Sequence, residues 1–108
     1  MLMDTLKPLG YPIGKAEYNQ VADTYIAFVE YNQAPKLNAD DQEIVTKHFY
    51  QVDVFSNKNY NQLVKDIKTS MKQAGFIRMF ESETFDEDMK KYRKIIRFNY
   101  ESKIEEEY

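Results

Sequence analysis

The hydrophobic rhythm of this chain changes abruptly in the stretch HFYQVDVFSNKNYNQLVKDIKTSMKQAGFIR, His48 to Arg78. Up to Phe55 the pattern alternates, with Tyr50, Val52 and Val54 set against Phe49, Gln51, Asp53 and Phe55. That period of two is the mark of a half-buried strand. From Tyr60 onward, Tyr60, Leu63, Val64, Ile67, Met71 and Ala74 recur three and four apart, one stripe of an amphipathic helix. The spacing predicts a helix from about Asn59 to Ala74, capped by Ser56 or Asn57, whose side-chain oxygen would accept a first-turn backbone N–H. Gly75 ends it, because a residue without Cβ takes the left-handed conformation cheaply, and Phe76 can pack back on Met71. A helix with one apolar stripe, placed directly after a strand, has to lay that stripe on a sheet.

The flanking segments supply the sheet. MLMDTLKPLG allows only a short helical turn, closed by Pro8 and Gly10. YPIGKAEY reads as a short edge strand, since Pro12 and Gly14 would weaken a central one. TYIAFVEY is a strand with Tyr25, Ala27, Val29 and Tyr31 on one face and Ile26, Phe28 and Glu30 on the other. The polar stretch from Asn32 to Glu43 is expected to be a long loop, and IVTKHFYQVDVFS the strand that follows it. After Gly75, FIRMFESETF and KYRKIIRFNYESKI form a hairpin around the acidic turn DEDMK. The expected fold class is therefore α+β, an antiparallel β-β-β-α-β-β sheet carrying one main amphipathic helix. A chain of 108 residues fits a single domain over 1–108, with 1–10 a short N-terminal segment and 101–108 a frayed acidic tail.

Little in the chain suggests chemistry. The absence of Cys excludes a disulfide framework, thiolate metal sites and thiol nucleophiles. The longest apolar run, Tyr25 to Val29, falls far short of the ~20 residues of a membrane-spanning helix. Asp4 and Lys7 interrupt any signal-like apolar stretch, so the mature protein is expected to begin at Met1. A net charge of −3 disfavours bulk attraction to nucleic acid or anionic lipid. His48, the only histidine, sits beside Phe49 in a strand and reads as structural or solvent-facing. Glu81, Glu83, Asp86, Glu87 and Asp88 could in principle gather a cation or serve an uncharacterised enzyme, but they lack the spacing and central Gly of a calcium loop. A solvated turn is the simpler reading. Gly10, Gly14 and Gly75 stand alone, so no phosphate-cradling loop is present. Neither catalysis, a cofactor nor a metal is expected. The stretch KKYRKIIRFNY interleaves aromatics with Lys90, Lys91, Arg93, Lys94 and Arg97 and could bind nucleic acid through residues 90–100. Alternation accounts for it equally, with Arg93 and Arg97 in water and Tyr92, Ile96 and Phe98 in the core.

The succession of a strand ending YQVDVFS, a helix closed by GF, an acidic turn and a basic strand, preceded by KPLGYPI and TYIAFVEY, resembles a family of phage proteins. It is similar to the small tail-completion or tail terminator proteins, also known as minor tail or head-tail joining proteins, of long-tailed bacteriophages and prophages of Gram-positive bacteria. The likeness covers Pro8 to Tyr100, and the chain departs from it in its short N-terminal helix. It implies a virion tail component, made in the host cytoplasm. As a homohexameric ring it would cap the tail tube, end its polymerisation and meet the tube protein and the head connector. Genome DNA would pass through without specific binding. Such a passage should present like charge to phosphate, and Asn38, Asp40, Asp41 and Glu43 are the expected assembly or lumen contacts, with Glu105, Glu106 and Glu107 as second choice.

Overall fold

Helix α2 (Asn61–Gln73) turns Leu63, Val64, Ile67 and Met71 inward, as their spacing requires. The computed structural model describes residues 2–15, 22–37 and 44–103, with side chains described at 2–15, 22–31 and 46–101. In chain order the other elements are α1 (Leu2–Leu6), a 3-10 turn (Lys7–Leu9), β1 (Ile13–Lys15), β2 (Thr24–Leu37), β3 (Ile44–Ser56), β4 (Ile77–Asp86) and β5 (Lys91–Lys103). The five strands form one sheet in the order β1-β2-β3-β5-β4. The α+β class holds, and α2 is the main helix packed on the sheet.

The core lies between α2 and one face of the sheet. Ile26 from β2, Tyr50, Val52 and Val54 from β3, and Ile96 and Phe98 from β5 meet Leu63, Val64, Ile67 and Met71 there. Burying each of those four helix side chains contributes about 1.5–3 kcal/mol. Leu2 and Leu6 of α1 close one side of the same cluster, so the short N-terminal helix belongs to the core. Gly10, at φ 86°, ends the 3-10 turn and donates its N–H to the Lys7 carbonyl at 3.1 Å.

The end of α2 follows its sequence closely. Gly75 takes φ 99°. Its N–H reaches the Lys72 carbonyl at 3.0 Å while that of Phe76 reaches Met71 at 2.9 Å, satisfying two carbonyls that the helix leaves open. Phe76 then packs edge-on against Tyr50 and Phe98.

Several expectations need correction. The sheet is mixed, because β1 runs parallel to β2, with Ile13 opposite Ile26. Alternation and turn residues mark where strands lie but carry no information on direction, and a parallel pair is not one that a tight hairpin can join. The expected loop at 32–43 is strand as far as Leu37: Pro35 stands opposite Thr46 on a strand that, beyond Phe28, has only β3 as a neighbour among the described residues. A missing N–H costs no ladder bond on that open side. The helix begins two residues later than expected, with Tyr60 at the N-cap and no side-chain cap. Ser56 is still strand and bonds Thr24 and the Lys58 N–H, while Asn59 Oδ1 accepts the Asn61 N–H at 2.9 Å. Ala74 is exposed and lies outside the buried stripe.

Candidate functional site

Because β5 alternates across a sheet with different cover on its two sides, the basic stretch is divided. Lys94 faces α2, whereas Lys91, Arg93 and Arg97 face the side that no described helix covers. On the α2 side, β5 places Lys94 against β4, and α2 brings Lys68 to the same point. Glu81 receives all of them: Lys94 Nζ at 2.9 Å, Lys68 Nζ at 3.1 Å and, from its own strand, Arg78 Nη1 at 2.6 Å. Lys94 first, then Lys68 and Arg78, hold the Glu81 carboxyl down at about 2 against the opposing pull of burial. Two positions along, Glu83 accepts the Tyr60 hydroxyl at 2.7 Å. Burial, reinforced by that carboxylate, pushes the Tyr60 phenol far above its ordinary range. These contacts lock α2 to the outer strands.

On the open side the cations lie over rings. Lys91 stands 4.9 Å from the centre of Tyr25, Arg93 5.5 Å from Phe55, and Arg97 between Tyr31 at 5.5 Å and Phe80 at 5.3 Å. Each is also tied by a hydrogen bond: Lys91 Nζ to the Ala22 carbonyl, Arg93 Nη2 to Asp53, and Arg97 Nε to Gln51. Tyr25, Ala27 and Phe55 form a small second buried cluster on this face. Cations stacked on rings and bonded to neighbours are largely committed within the fold.

The third feature is β4. As an edge strand it has only β5 beside it among the described residues, and α2 reaches it through the Lys68–Glu81 ion pair, so its apolar side chains remain in solvent. Ile77 is 60% exposed, Met79 49% and Phe80 48%. Between β4 and the C-terminal half of α2 runs a groove of about 450 Å³, floored by Phe76, Ile77 and Phe98 and rimmed by Lys68, Lys72 and Arg78. At the other end of β4 the turn to β5 is closed by Asp86 Oδ1, which accepts the Met89 N–H at 2.9 Å, and by Lys90 at φ 57°.

Asn38, Asp40, Asp41 and Glu43, with Glu105, Glu106 and Glu107, lie outside the described residues. His48 is half-buried, its Nδ1 2.7 Å from Glu30 Oε2 and its ring stacked on Tyr50. The acids of β4 and its turn do not converge: Glu81 and Glu83 are engaged with α2 and its N-cap, Asp86 closes the turn, and Glu87 and Asp88 point to solvent. Tyr92, expected in the core, is 48% exposed and packs edge-on against Phe85 across the β4–β5 pair. It lies on the α2 side of β5 but past the start of the helix, where little covers it. The groove was missed in the sequence, where its only signal is the exposed apolar residue Ile77 between the helix stop and a strand that offers no buried face.

No protein-family model matches the chain, and no curated protein matches it. Among solved structures, a chain from the virion of a native gene transfer agent particle is similar to it, with a TM-score of 0.59 and 13% identity. The match covers 95% of this chain and 84% of that one. At that identity it shows a shared fold.

Proposed function

We propose that the protein is a structural component of a phage-like virion and acts without catalysis, as a ring that closes the tail tube and joins tail to head. The single observation that carries this reading is the fold shared, over nearly the whole chain, with a chain of a gene transfer agent virion. Two further features support it. The best-organised charged cluster, around Glu81, is spent on rigidity. The groove and the apolar edge of β4 give the protein surface suited to a neighbour. The ring is taken to be hexameric, with the tube protein and the head connector as its partners and the virion tail as its location.

Deleting the gene in a particle-producing strain tests the proposal. Overlong tails and unjoined heads are expected, and normal particles in normal number would overturn it. In this reading Asp40, Asp41 and Glu43 face the passage taken by DNA. Replacing all three with Lys should slow genome ejection while leaving tail length unchanged. Ejection at the normal rate would place them elsewhere.

The open face bearing Lys91, Arg93 and Arg97 among aromatic rings favours a second reading, binding of nucleic acid through the basic aromatic strand 90–100. A titration against DNA decides it, because phosphate contacts lose affinity steeply as salt rises. Binding that is absent, or indifferent to salt, removes this alternative.

A further inference from the structure

Opposite ends of β4 carry two surfaces that complement each other. At its start lies the groove beside α2, with an apolar floor of Phe76, Ile77 and Phe98. Of the three cations on its rim, Lys68 and Arg78 share Glu81, and Lys72 is exposed in solvent, so the rim keeps an excess of positive charge. At the strand's far end the β4–β5 tip presents Asp86, Glu87 and Asp88 beside the exposed Lys90, while Lys91, opposite Asp86, is buried and bonded to the Ala22 carbonyl, and Phe85 and Met89 are exposed next to them. This tip is pre-shaped by the Asp86 bond to the Met89 N–H. The ten residues of β4 hold tip and groove about 30 Å apart, at ~3.3 Å per residue, so no copy can fill its own groove.

We propose that the acidic tip of one copy seats in the cationic groove of a second copy. The occupant is argued from charge complementarity, from the exposed apolar side chains of Ile77 at the groove and of Phe85 and Met89 at the tip, and from a separation that forbids the contact within one chain. An apolar strand edge left in solvent is also a standing aggregation hazard, which a specific neighbour would remove. The contact is heterologous, one surface against a different one, and it therefore generates a closed ring or an open filament rather than a two-fold dimer. This rests on the ring reading above and names the two surfaces that would build it.

Sedimentation equilibrium of the wild type, of Glu87→Lys/Asp88→Lys and of Lys72→Glu tests the contact. Each variant should associate at least about tenfold more weakly than wild type, and mixing the two should recover association, because the reversed tip then meets the reversed groove. Melting temperatures should stay within about 2 °C of wild type, as all three positions are exposed. As the chain has no native Cys, Thr69→Cys copies can be mixed with Asp88→Cys copies and oxidised, Thr69 lying in the groove wall. Disulfide-linked heterodimers should then dominate over homodimers. The proposal is overturned by a wild type that stays monomeric at its highest soluble concentration, by charge-reversed variants that associate as tightly as wild type, or by heterodimers no more abundant than homodimers. The ring reading fails separately: a protein that self-associates through these surfaces but whose deletion leaves particles normal would sink the virion role alone.

Discussion

Glu81 is the point at which α2, β4 and β5 are held together, and Glu81→Gln removes its charge while keeping its shape. Held at about 2 in the fold, against 4.5 for an ordinary Glu, the carboxyl is linked to at most about 3 kcal/mol of stability at neutral pH. The side chain is 20% exposed, and solvent screening reduces this to about 1–2 kcal/mol. Lys94 and Lys68 would be left half-buried without a counter-charge, which belongs to the same cost. For a domain of this size the loss lowers the melting temperature by about 4–8 °C. The sign follows from linkage: a carboxyl depressed in the folded state stabilises above its unfolded value, and that contribution fades as pH falls from about 4.5 toward about 2. Thermal melts of wild type and Glu81→Gln from pH 7 to pH 2 should therefore show a gap that is full at neutral pH and narrows through that window. A gap of constant size down to pH 2, or none at pH 7, would refute the reasoning.

Three other outcomes follow from the packing. Ile67→Ala, at a position with no solvent exposure between α2 and the sheet, should cost about 2–5 kcal/mol in urea unfolding, and a loss under 1 kcal/mol would mean that the helix does not lie on the core as described. Gly75→Ala forces a Cβ into the left-handed region at φ 99° and to within 3.3 Å of the Tyr100 ring, so about 1–2 kcal/mol should be lost, and unchanged stability would count against the helix stop. Tyr92→Ala, by contrast, should cost less than about 1.5 kcal/mol, little more than its ring contact with Phe85, and a loss as large as that of Ile67→Ala would return Tyr92 to the core.

Whatever depends on local periodicity can be read from the residues alone. The strand through Tyr50, Val52 and Val54, the stripe of Leu63, Val64, Ile67 and Met71, and the stop at Gly75 are all visible in residue spacing, because 2.0 and 3.6 residues per repeat are properties of the backbone. Whatever depends on which element lies beside which emerges only from the folded chain. Nothing local sets the direction of β1, nor tells that β2 runs on through Pro35, where only β3 lies beside it among the described residues and a Pro is tolerated. Tyr92 and Ile96 share a face of β5, and only the reach of α2 separates the exposed ring from the buried side chain. The charges were legible as a run but not as partners. Glu81 meets Lys68 and Lys94, each thirteen residues away in sequence, because the sheet register and the helix placement bring three elements to one point, and an electrostatic contact is set by distance in space.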